Sequence, residues 1–171
     1  MSGRKHVIVT GGSRGLGAAM IEGLLGDGYR VSPCSRSKSA AIEKLAALGG
    51  DDFFWRSAQV GEGDQVDAFV KAAGEWAGDD GIYGLVNNAG VARTGILASF
   101  PNIESEKMIQ INLPGAIHLA RAVSPRPVWI ASPRGAAGMP ASMEDAQMAY
   151  TAGGAPAASA ATAGGNAGQQ L

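Results

Sequence analysis

The segment that most constrains this chain is Thr10-Gly11-Gly12-Ser13-Arg14-Gly15-Leu16-Gly17, which joins a short β-branched run to a helical pattern. His6–Thr10 reads as a strand. Leu16, Ala19, Met20, Gly23 and Leu24 then recur at i, i+3, i+4, i+7 and i+8, one face of a helix that Gly26 and Gly28 stop. Glycines at a strand–helix junction permit a tight turn and let the backbone approach a pyrophosphate with no Cβ in the way. The helix N-terminus offers free N–H groups and a partial positive charge to the same anion. A P-loop is excluded, because no Gly-Lys-Ser/Thr follows.

Strand and helix patterns keep alternating beyond this loop. Tyr29–Ser35 reads as a second strand, in which Pro33 is expected to weaken the pairing or to mark an edge or a bulge. A helix over Ala40–Leu48 ends at Gly49-Gly50. Asp52–Val60 reads as a third strand, and Asp64 as the cap of a helix with the buried stripe Val66, Phe69, Val70 and Ala73. Gly81–Val86 reads as a fourth strand and runs into Asn87-Asn88-Ala89-Gly90. A helix follows over Glu104–Ala122, where Pro114 removes a hydrogen bond and predicts a kink, and Val128–Ala131 reads as a fifth strand. Such alternation gives right-handed βαβ crossovers, hence an α/β fold: a Rossmann-type, doubly wound parallel sheet in three α-β-α layers.

Composition narrows the function classes. The chain has 171 residues, 46% hydrophobic and 17% charged, which suits one globular domain. A net charge of -1 gives no field that points to nucleic acid or to anionic lipid. Cys34 is the only cysteine, so no intrachain disulfide forms and a reducing compartment is expected. No apolar run approaches the ~20 residues that span a bilayer, and no signal-peptide pattern opens the chain, so the expected address is the cytoplasm. Residues 151–171 carry neither charge nor aromatic side chain and read as an Ala/Gly-rich disordered tail after a domain over residues 1–150.

The glycine spacing G-x-x-x-G-x-G at Gly11, Gly15 and Gly17, the Asn87-Asn88-Ala89-Gly90 segment and Asn112 in Ile111-Asn112-Leu113 together resemble the short-chain dehydrogenase/reductase family. The resemblance runs from Lys5 to Ser132. It implies hydride transfer between a nicotinamide dinucleotide and a carbonyl or secondary-alcohol substrate. It places the cofactor on Gly11, Ser13, Arg14, Gly15, Leu16, Gly17, Arg36, Asn88, Ala89 and Gly90, and catalysis on Asn112, Ser132 and Tyr150, with Ser142 a rival to Ser132 and no metal. An acidic residue after the second strand suits the ribose hydroxyl of NAD, whereas arginine suits the 2′-phosphate of NADP. Cys34-Ser35-Arg36 holds no carboxylate, and Arg14 adds a second guanidinium, so NADP is expected over NAD. Gln59-Val60 stands where the family usually has an aspartate for the adenine.

Other departures bear on catalysis. Tyr150 resembles the start of the family's Y-x-x-x-K motif, but the lysine position is Gly154 and Lys107 is the last lysine. An unassisted tyrosine, with a pKa of ~10, is about one part in a thousand ionised at neutral pH. The family's last strands and its usual oligomer interface have no counterpart here, so a truncated member is expected, its reading frame lost just after Tyr150-Thr151-Ala152. The alternative to an active oxidoreductase is therefore a catalytically impaired dinucleotide-binding remnant. The glycine spacing disfavours an extended-type epimerase or dehydratase.

Overall fold

His6–Thr10 (β1) is buried at every position, as a strand covered on both faces must be. The computed structural model describes residues 4–124 and 128–131. Around β1 are Gly15–Gly26 (α1), Arg30–Ser35 (β2), Ala40–Gly49 (α2), Arg56–Ser57 (β3), Gly63–Ala77 (α3), Gly84–Val86 (β4), Asn102–Gln110 (α4), Ala116–Val123 (α5) and Trp129–Ala131 (β5). The strands are parallel, in the order β3-β2-β1-β4-β5. The chain moves outward from β1 through β2 to β3, then returns to the other side of β1 for β4. That reversal opens a crevice at the carboxyl ends of β1 and β4, where open α/β sheets bind ligands. α1 packs on α2 and α3 on α5, one pair to each face, as right-handed crossovers on either side of β1 require. The expected α-β-α layering is present.

The core between the sheet and the α3–α5 pair joins Ile8, Cys34 and Leu85 to Val66, Phe69, Ala73 and Leu119. The stripe read on α3 is buried as expected, extended by Ala77. Burying Phe69 alone contributes about 2–3 kcal/mol. His6 sits at the opposite end of β1 from the glycine loop, fully buried, with Nε2 2.7 Å from Ser32 Oγ and its ring edge-on to Trp76. Burial, reinforced by the Arg30 charge and only partly offset by the Gly81 backbone, lowers its pKa to about 4, so the ring is neutral. Arg30 stacks on Trp76 and donates to the Trp76 and Ala77 carbonyls, closing the C-terminus of α3.

Several elements differ from expectation. In α1 the buried residues are Gly17 and Ile21, while Leu16 is 57% exposed. The helix is rolled because Gly17 touches backbone: a Cβ there would lie 2.3 Å from Gly11 O. Pro33 neither breaks β2 nor marks an edge, since β2 pairs with β1 and β3. Val31 O and Ser35 O accept from Phe54 and Ala58. Pro33, two residues from each and on the same side of the strand, therefore turns its missing donor toward β3, and there the ladder is interrupted, which is the weakened pairing expected of it. The irregularity falls on the third strand, reduced from the expected Asp52–Val60 to Arg56–Ser57 and one bridge at Phe53. The fourth strand likewise starts later than expected, at Gly84. Asp64 lies inside the first turn of α3 and does not cap it; the N-cap is Glu62, with no side-chain bond. The helix expected over Glu104–Ala122 is α4 and α5 joined by a π turn, Ile111–Gly115, around Pro114. The proline's missing N–H produces a widened turn rather than a break.

Candidate functional site

Gly11 and Gly15 adopt φ of 72° and 56°, the left-handed region open to glycine at no steric cost. At Gly11 a Cβ would also lie 2.9 Å from Ala89 Cα, whereas Gly15 faces open space and is required only by its angle. The turn delivers the chain into α1, whose N-terminus has no side-chain cap and no acid in its first turn. Its orphan N–H groups and positive dipole end are thus left uncompensated at the carboxyl edge of β1.

Hydrogen bonds to side chains lock this turn to the segment after β4. Thr10 Oγ1 accepts from the backbone N–H of Asn88 at 3.0 Å and of Ala89 at 2.9 Å. Asn88 Nδ2 donates back to Thr10 O and Gly11 O. One residue earlier, Asn87 Nδ2 donates to Ala116 O at the start of α5. Asn112, on the π turn, pairs with both backbone groups of Val91: its Oδ1 accepts from the N–H and its Nδ2 donates to the carbonyl, each at 2.8 Å. The π turn is itself pressed on the chain after β3, for a Cβ on Gly115 would lie 2.8 Å from Val60 O.

Between these segments lies an open cleft of about 610 Å³, a size suited to a small-molecule site. Its walls are the glycine turn from Gly11 to Gly17, the end of β2 with Ser35, Arg36 and Ser37, Ala58–Val60, and Asn88–Val91. Arg14 and Arg36 line it, and among the described residues no acidic side chain does. Among the described residues neither guanidinium has a hydrogen-bond or ion-pair partner. Cys34 lies at its floor, buried, and desolvation pushes its thiol up to about 12, so it is packing and not a nucleophile. Gln59 lines the cleft too, its amide donating to Glu62.

The structure thus gathers the ten residues read as cofactor-binding, Gly11, Ser13, Arg14, Gly15, Leu16, Gly17, Arg36, Asn88, Ala89 and Gly90, around one cleft. Asn112 does not itself line the cleft; both its polar side-chain atoms are engaged by Val91, which does. Ser132, Ser142 and Tyr150 lie outside the described residues. Thr10 was absent from the sequence-derived set, although a hydroxyl residue at the last strand position before the glycines was its signal. Ser39 was also missed: it caps α2 by accepting from Ile42 N–H and donates to Ser13 O.

The short chain dehydrogenase family model matches residues 5–159. The chain belongs to that family. It is 31% identical over 125 residues to the 3-oxoacyl-(acyl-carrier-protein) reductase FabG of Staphylococcus aureus, covering 71% of this chain and 50% of the relative. It therefore spans about half the length of the curated relatives it matches. Among solved structures, the 3-ketoacyl-(acyl-carrier-protein) reductase of Brucella melitensis, complexed with NADH, is similar at 28% identity and TM-score 0.65, covering 71% of this chain and 49% of that one. The alcohol dehydrogenase of Thermococcus sibiricus, complexed with 5-hydroxy-NADP, is similar at 26% identity and TM-score 0.67, covering 81% and 62%. One of these two structures holds NADH and the other 5-hydroxy-NADP, so the choice here rests on this chain's own residues.

Proposed function

We propose that this chain carries the cofactor site of an NADP(H)-dependent oxidoreductase acting on a carbonyl or secondary alcohol. The observation that carries the reading is the cleft bearing Arg14 and Arg36 and, among the described residues, no carboxylate, beside the uncapped start of α1. Gly11, Gly15 and Gly17 give a pyrophosphate access to backbone N–H groups, and Gly17 also keeps α1 close to the loop. Arg14 and Arg36 hold a ribose 2′-phosphate, which a guanidinium matches bidentately. Asn88, Ala89 and Gly90 form the wall toward the reacting end. When bound, the nicotinamide supplies or accepts the hydride. Asn112 holds Val91, and with it that wall. Ser132 and Tyr150 complete the proposal as the residues that orient the substrate oxygen and exchange its proton.

A second reading, dinucleotide binding without turnover, is favoured by Gly154 at the position of the family's lysine. Thermal unfolding with NADPH or NADH tests the site, because saturation at 100 Kd adds about 2.7 kcal/mol of stability. An upward shift larger for NADPH is expected, and no shift with either removes the site. Turnover of simple carbonyl substrates then separates the two readings.

A further inference from the structure

The cleft-lining segment Ser35-Arg36-Ser37 is held in an unusual way. Its three successive carbonyls all accept hydrogen bonds. Ser35 O accepts from Ala58 N–H at 3.1 Å. Arg36 O accepts from Ser57 Oγ at 2.9 Å, and Ser37 O accepts from Ser35 Oγ at 2.9 Å. Ser35 Oγ in turn accepts from Trp55 Nε1 at 2.9 Å. Two of the donors that organise this chain, Ser57 and Trp55, do not line the cleft. They come from the short third strand and the residue just before it.

The electrostatic consequence concerns anions. A free carbonyl beside a phosphate presents the negative end of its dipole and opposes binding, while a carbonyl occupied by a donor is partly neutralised and fixed in direction. Fixing the backbone on both sides of Arg36 also limits where its guanidinium reaches, and pre-ordering reduces the entropy lost on binding. We propose that Ser57 and Trp55 are positioning residues that shape the Ser35–Ser37 loop for the 2′-phosphate, acting through the Arg36 and Ser37 carbonyls. This rests on the NADP(H) reading of the cleft.

The test is calorimetric binding of 2′,5′-ADP and of 5′-AMP to the full chain and to its Ser57→Ala, Ser57→Thr and Trp55→Phe variants. Loss of one such hydrogen bond is expected to weaken 2′,5′-ADP about threefold to tenfold. Binding of 5′-AMP should stay within about twofold, and Ser57→Thr should restore the difference. Trp55→Phe keeps the ring and removes only the donor, so it reports the same effect should Ser57→Ala perturb the exposed loop more widely. If both ligands weaken equally, or neither changes, the two residues are merely structural and the inference is overturned. If the unaltered chain binds 2′,5′-ADP no better than 5′-AMP, the NADP(H) reading itself fails and takes the inference with it.

Discussion

Thr10→Val removes one oxygen from a buried position and keeps side-chain volume and β-branching. Thr10 is 1% exposed, and its Oγ1 accepts from two backbone N–H groups while donating a longer bond, 3.4 Å, to Val86 O. The Ala89 N–H left without a partner costs about 1–3 kcal/mol, whereas the Asn88 N–H keeps Val86 O at 3.0 Å and the long donated bond adds little. The destabilisation is therefore about 1–3 kcal/mol, a large share of the stability of an ordinary domain. Thr10→Ser provides the control, for it keeps the hydroxyl and gives up one methyl, about 1 kcal/mol. Urea unfolding of the three proteins reads the difference from the midpoints, provided the slopes agree. The valine variant should be the least stable, and it should also lose cofactor-dependent stabilisation, since Thr10 fixes the Asn88–Ala89 wall. Equal stabilities of the valine and serine variants would refute the reasoning, leaving the hydroxyl bonds worth no more than bonds to water.

Gly17→Ala places a Cβ 2.3 Å from Gly11 O, so α1 must shift; denaturation should show a loss of about 1–3 kcal/mol, and a neutral effect would contradict the close approach. His6 has its pKa lowered from 6.5 to about 4, so the unfolded chain takes up a proton that the folded one refuses. Its contribution is fully present above pH 6.5 and falls by about 3 kcal/mol in total between pH 6.5 and 4; unfolding midpoints of the parent and of His6→Gln should converge or cross over that range, and parallel pH profiles would argue against a neutral buried ring. Arg36→Ser should weaken NADPH at least about tenfold and leave NADH within about threefold; equal losses for both cofactors would remove Arg36 from phosphate recognition. Asn112→Ala should accelerate hydrogen exchange at the Val91 amide, which donates to Asn112 Oδ1 at 2.8 Å; unchanged exchange would show that this bond does not hold the loop.

The sequence by itself determined the elements whose signal is local. The glycine turn was legible because positive φ at Gly11 and Gly15 is a property of the residue. The α3 stripe was legible because Val66, Phe69, Val70 and Ala73 repeat with the helix period. Five parallel strands in alternation with helices sufficed for the layering. Only the tertiary structure decided what depends on a neighbour. The roll of α1 follows from contact between Gly17 and the Gly11 backbone, which periodicity cannot contain. Pro33 is tolerated in an interior strand because its missing N–H meets the gap in β3, a matter of register across strands. The widened turn at Pro114 is fixed by Gly115 against Val60 and by Asn112 on Val91. The loop after β2 owes its shape to Trp55 and Ser57, about twenty residues away along the chain but within hydrogen-bond reach. Turn chemistry and periodicity are written residue by residue, whereas hydrogen bonds between distant segments exist only once the sheet has brought them together.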